Sequence, residues 1–220
     1  MKQSHYTLIA LVLMIIAFSI ATLFYNSGMQ QKLDEHAADN NALLLKDYAV
    51  RAGDPAARVT LVEFMDPACG TCARFYPFVK QLMQQYQGKL KLVIRFLPFH
   101  PGSDKMVAIL QAARKQDRFW QVLELMFASQ SQWTVDHIAR PEIFFSFLEQ
   151  DGVNPGVNVD QIRQDMQDPG IQVIIRQDLA DGDALGADKT PAFYVNGKPL
   201  VDFGFRQLQA LVDEEVQANY

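Results

Sequence analysis

The chain holds two cysteines, Cys69 and Cys72, separated only by Gly70 and Thr71. That spacing rules out a long-range disulfide staple, so burial alone must hold the fold and whatever the cysteines do is local. The pair also sits where the hydrophobic period changes. Residues 59–65 (VTLVEFM) are β-rich and almost wholly apolar, as a central strand covered on both faces should be. From 73 to 87, apolar side chains recur at helical spacing at Phe75, Phe78, Val79, Leu82, Met83 and Tyr86, and Gly88 follows as a C-terminal cap. Residues 89–99 (KLKLVIRFLPF) supply a second strand, joined by a right-handed crossover if it runs parallel to the first. The order is strand, Cys-Gly-Thr-Cys, helix, strand: a βαβ unit with the cysteines at its switch from strand to helix.

Beyond it, residues 103–183 read as helical, with amphipathic stretches at 105–114, 119–127, 141–149, 159–166 and 171–179. Turns at Gly152-Val153-Asn154-Pro155-Gly156 and Asp168-Pro169-Gly170 divide them. Residues 192–195 return to strand, Asn196-Gly197 signals a tight hairpin, Leu200-Val201 starts the returning strand, and 205–216 closes the chain as a helix. The expected class is α/β: βαβ, a helical block, then ββα. Trp120, Trp133, Phe144, Phe145 and Phe147 fall in amphipathic stretches and read as core of that block, and His100 reads as a loop residue.

Residues 7–25 (TLIALVLMIIAFSIATLFY) carry no charge, and at about 1.5 Å per residue they nearly span a hydrocarbon core of about 30 Å. Small residues of a cleavage site occur at Ala17, Ser19 and Ala21, but Leu23, Phe24 and Tyr25 continue the apolar run past them. The reading is a cytoplasmic tail and uncleaved anchor over 1–28, with a signal peptide as the alternative. A polar stalk over 29–52 and a catalytic domain over 53–220 follow. Leu33 and Leu43 to Leu45 in the stalk suit either a dimer contact or the first packing against the domain. With 20 Lys plus Arg against 25 Asp plus Glu and no run of like charge, nucleic acid is not an expected partner.

A cysteine at a helix N-terminus meets unpaired backbone N–H groups and the positive end of the peptide dipoles, which favour thiolate. Cys69 has that position, and Cys72, one turn in, can resolve a mixed disulfide formed on it. A zinc half-site is the bland alternative, but it needs two further ligands, and His5, His36, His100 and His137 lie scattered. Glu63, on an otherwise apolar strand, is either a buried acid that takes the Cys72 proton or half of an ion pair with Arg95. Thr190-Pro191 precedes a strand, where the proline is either cis or a plain loop residue.

Together, Cys69-Gly70-Thr71-Cys72, Glu63 and Thr190-Pro191 resemble the DsbA-like branch of the thioredoxin superfamily, which carries a helical insertion inside the thioredoxin fold. The resemblance spans 54–218, from VEFMDPACGTCARFYP, through Arg118-Phe119-Trp120 in the insertion, to TPAFYVNG. It implies a thioredoxin fold with an inserted helical subdomain at about 103–183; the N-terminal transmembrane helix read from residues 7–25 would precede it. It implies Cys69 as nucleophile, Cys72 as resolving thiol, Pro191 as a cis-proline facing them, Glu63 as the buried acid and Thr190 as a backbone contact for substrate. Gly70 and Thr71 would complete that surface. The well-known oxidants of this branch carry a histidine between the cysteines; Gly70-Thr71 brings no charge, which implies a milder Cys69 and a milder oxidant.

The leading function is therefore disulfide formation in secreted or envelope proteins, without metal or other cofactor, by an enzyme held in the inner membrane and facing the periplasm. Its partners would be thiol-bearing substrates and a quinone-linked, DsbB-like membrane protein. An isomerase or reductase served by a DsbD-like electron donor is the second reading. A copper(I)-holding thiol pair and a chemically silent interaction domain are the third and fourth.

Overall fold

The computed structural model describes residues 40–220, together with Met14, Phe18 and Ile20, which are helical. Apart from those three residues the expected anchor lies outside the described residues, as does the stalk up to residue 39. Among those described, no helix is long and apolar enough to cross a membrane.

The described residues form seven strands: β1 (Val50–Gly53), β2 (Val59–Met65), β3 (Leu90–Phe96), β4 (Thr134–Val135), β5 (Ile138–Ala139), β6 (Ala192–Val195) and β7 (Lys198–Pro199). Five form one sheet in the order β1-β3-β2-β6-β7. β2 and β3 run parallel, with Leu61 opposite Leu92 and Glu63 opposite Ile94. β6 returns antiparallel to β2, placing Phe193 on the other side of Glu63. The central position of β2 explains its composition: every one of its side chains is buried, and only a strand covered on both faces needs an apolar residue at each position.

The helices are α1 (Gly70–Gln85), α2 (Ser103–Arg114), α3 (Phe119–Ala128), α4 (Gln130–Trp133), α5 (Pro141–Leu148), α6 (Val159–Asp165), α7 (Pro169–Ala184) and α8 (Phe205–Asn219). On one sheet face, Leu61, Met65, Ile94 and Phe193 pack against Cys72, Phe75, Val79 and Leu82 of α1 and Leu208 and Val212 of α8. The opposite face carries Val62, Phe64, Val93 and Tyr194, which meet Leu44 and Leu179. Helices α2 to α7 intervene between β3 and β6, so the thioredoxin-like α/β fold with a helical insertion is present.

Four details differ from the sequence reading. The stretch 44–53, read as stalk up to residue 52, joins the domain: Leu44 is buried against the sheet, the second of the two readings its leucines allowed, and β1 pairs antiparallel with β3, Val50 opposite Ile94. A short edge strand carrying Arg51 has no pattern of its own; its pairing partner lies about forty residues on. Helix α2 is not half-wet, because Met106 to Ala113 are all buried and the rest of the insertion wraps around them. The insertion also contains the β4–β5 hairpin, whose turn puts Asp136 and His137 at φ 51° and 61° without the glycine that would have signalled it. The returning strand starts at Lys198, since the Asn196-Gly197 turn, at φ 48° and 86°, brings Lys198 directly opposite Val195. Val201 lies beyond it and is exposed.

Candidate active site

Cys69 is the N-cap of α1, in extended backbone, and no side chain caps that helix end. The free N–H groups of the first turn are therefore available to the cysteine sulfur. Both cysteines are free thiols and both are buried, Cys72 completely. Burial is a consequence of packing: α1 lies on β2 through Cys72, Phe75 and Val79, which turns Cys72 inward. As a thiol, Cys69 donates to the Thr190 carbonyl oxygen 3.2 Å away.

The two sulfurs have opposite surroundings. The Cys69 thiol is brought down from 9.0 to about 5, first by the hydrogen bond from the Cys72 thiol, with the Thr190 side chain and the backbone N–H groups of Cys72 and Thr71 helping against burial. Cys72 is pushed well above the ordinary thiol range, first by burial, then by its bond to Cys69 and the charges of Cys69 and Glu63. A thiolate at Cys69 beside a held proton at Cys72 is the state from which exchange begins.

Glu63 is 1% exposed, and neither carboxyl oxygen has a hydrogen-bond partner. Burial, and then the Cys69 charge, raise it to about 8. The alternative of a Glu63–Arg95 ion pair does not hold, because Arg95 points to the other sheet face. There its Nε lies 2.7 Å from Asp178 and its Nη2 lies 2.6 Å from Asp181. The Thr190-Pro191 peptide is cis and Pro191 is buried. Of the two residues between the cysteines, Gly70 is exposed, and Thr71 Oγ1 accepts from Arg74 at 3.2 Å.

Two residues at this site, Asp66 and Gln130, went unread in the sequence, and a third, His100, was read only as a loop residue. Asp66, at the end of β2, accepts from Ala68 N at 2.8 Å and from His100 N at 2.9 Å, and Ser103 Oγ also donates to it. His100 is a loop residue, but its Nδ1 lies 2.6 Å from Asp66 Oδ2. Gln130, from the insertion, donates its amide to the carbonyls of Pro67 at 2.7 Å and Cys69 at 3.0 Å, clamping the cysteine loop. The DPACGTC run hinted at Asp66 as a turn residue; nothing local marks His100 or Gln130, which reach the loop only through tertiary contacts. Beside α1, Phe203 and Phe205 pack on Phe75 at ring distances of 4.9 and 4.1 Å, and both remain exposed.

A family profile described as Thioredoxin matches residues 45–214. The Na(+)/H(+) antiporter NhaA of Herminiimonas arsenicoxydans is 30% identical over 148 residues, 67% of this chain but 22% of the antiporter. The chain thus spans less than a quarter of the first curated relatives it matches, with 22%, 23% and 21% of their lengths covered. A probable disulfide bond formation protein D of Bacillus anthracis is 26% identical over 209 residues, covering 92% of this chain and 94% of that protein. Among solved structures, a thioredoxin-like oxidoreductase from Silicibacter pomeroyi superposes with a TM-score of 0.68 at 26% identity, over 80% of this chain and 97% of the other. DsbA1 of Wolbachia pipientis shares the fold at a TM-score of 0.69 and 18% identity, over 81% and 96% of the two chains. With a cysteine pair at a helix N-terminus and a family match over most of its length, the chain belongs to the thioredoxin family.

Proposed function

We propose that the protein makes disulfides in thiol-bearing proteins outside the cytoplasm, through reversible oxidation of Cys69 and Cys72. A substrate thiolate attacks Cys69 of the oxidised pair and Cys72 leaves as a thiolate. A second substrate thiol then releases Cys69, so the substrate gains the disulfide that the enzyme loses. Glu63, a buried carboxyl group coupled by charge to Cys69 and Cys72, exchanges the Cys72 proton. The substrate backbone lies against Thr190 and Pro191, and its apolar side chains meet the exposed Phe203 and Phe205. Reoxidation falls to a membrane partner, and residues 7–25 anchor the enzyme near it.

The observation that carries the oxidase reading is the placement of Cys69 as N-cap of α1 beside Cys72 and Thr190, which brings its thiol down to about 5. A thiolate stabilised that far stabilises the reduced protein, and a stable reduced form makes the disulfide oxidising. The value lies between about 7 for thioredoxin and about 3.5 for DsbA, in keeping with an uncharged Gly70-Thr71. Equilibration with glutathione buffers tests this: the potential is expected between about −270 and −120 mV, the thioredoxin and DsbA values. A more reducing potential than thioredoxin's would remove the oxidase reading and favour a reductase.

A further inference from the structure

The exchange reading leaves one buried carboxylate beside the cysteines without a role. Asp66 is fully buried, and its oxygens are engaged from three places: Ala68 in the cysteine loop, His100 after β3, and Ser103 at the start of α2. What these bonds fix is Asp66's own backbone. Its N–H points at Cys72 Sγ, 3.5 Å away, and its carbonyl accepts from Cys69 N at 3.0 Å. Both cysteines therefore hang from one residue whose orientation is set by its side chain.

We infer that Asp66 is a positioning residue for the resolving thiol, braced by His100, whose bonds keep the Asp66 N–H aimed at Cys72 Sγ where it stabilises the buried thiolate. The inference rests on the exchange reading and deepens it. Burial, the Cys69 contact and the charges at Cys69 and Glu63 all oppose ionisation of Cys72, and the Asp66 N–H works the other way. The Cys69 thiolate is held instead by Cys72, Thr190 and Thr71. The step at stake is release of a substrate held on Cys69. Cys72 loses its proton, its thiolate attacks Cys69 Sγ, the Cys69–Cys72 bond forms, and the substrate sulfur leaves as a thiolate that is reprotonated from solvent. The oxidation of Cys72 is balanced by reduction of the substrate sulfur. Since nucleophilicity offsets about half of a change in thiolate fraction, each unit added to the Cys72 pKa slows this step about threefold at neutral pH.

The test uses the full reduced chain with the symmetrical disulfide of thionitrobenzoate: attack by the Cys69 thiolate frees one thionitrobenzoate and leaves the second on Cys69. Release of the second from Cys69 by Cys72 is followed by colour, and the first attack by Cys69 is timed separately in a Cys72→Ser background. Asp66→Asn and His100→Ala are each expected to slow release about three- to tenfold while Cys69 attack stays within about twofold. His100→Asn, which returns an N–H near the Nδ1 position, is expected to restore release. Release at the parental rate in folded His100→Ala or Asp66→Asn overturns the assignment, as does equal slowing of both steps. If Asp66→Asn fails to fold, His100→Ala and its Asn rescue decide alone. A parent that itself releases no thionitrobenzoate sinks the exchange reading, a failure separate from that of Asp66.

Discussion

At the scale of single residues, two neighbouring sulfurs and one carboxyl group divide the chemistry because their surroundings differ. Glu63 is held at about 8 against an ordinary 4.5, first by burial and then by the Cys69 charge. Between those values the folded protein binds a proton that the unfolded chain has lost. The resulting stability is therefore complete below about 4.5 and is lost as pH rises through about 8, at about 1.4 kcal/mol per unit. Glu63→Gln removes that dependence: the variant is expected to gain on the parent in urea unfolding as pH rises from 4.5 to 8, and a constant gap would show that the carboxyl is not buried in solution. With no group to exchange the Cys72 proton, the same variant should turn over more slowly, by up to about a hundredfold. Cys69, Cys72 and Glu63 were all legible in the sequence, because each stands at a fixed offset within one strand-loop-helix unit. Whether Glu63 faced the cysteines or Arg95 was not, since alternation along a strand assigns a face but does not say what covers it.

At the scale of elements, the back of the sheet is tied together by Arg95. Its Nη1 donates to the carbonyls of Leu43 and Leu44 at 2.6 and 3.1 Å, at the end of the helical residues 40–44, and its Nη2 bonds the Tyr48 hydroxyl at 3.0 Å. Asp178 and Asp181 of α7 neutralise it, and Asp178 also accepts from Phe96 N at 2.8 Å. One side chain thus joins β3, α7 and the segment leading into β1. Arg95→Met leaves Asp178 buried with no cation beside it and Asp181 with Lys46 alone, at 3.5 Å, and is expected to cost about 3–5 kcal/mol, with early hydrogen exchange in residues 43–50. A loss under about 1 kcal/mol would mean that the cluster contributes little beyond packing. The helices and central strands could be read from periodicity, but β1 and this cluster could not, because their partners come from distant parts of the chain.

For the whole molecule, redox state and stability are linked through Cys69. Its folded pKa of about 5 lies below the ordinary 9.0, so the unfolded reduced chain binds the extra proton between those values. The stabilisation is full above about 9 and disappears as pH falls through about 5. The oxidised protein has no such thiol, so the stability of the reduced form relative to the oxidised form is expected to rise by about 1.4 kcal/mol per pH unit across that window. Denaturation of both forms at several pH values checks this, and parallel curves would exclude a depressed Cys69. Cys72 works in the opposite direction, but only above the ordinary thiol range, since its folded pKa is raised. The sequence by itself determined the βαβ unit, the cysteines at its switch point, the helical insertion and the closing Thr-Pro strand, because helix and strand periods and fixed offsets are local properties. Tertiary structure alone decided that Thr190 and Cys69 touch across the fold, that Asp66, His100 and Gln130 brace the cysteine loop, and that residues 44–53 join the sheet. Those contacts form between segments brought together only when the core closes, and no local pattern records them.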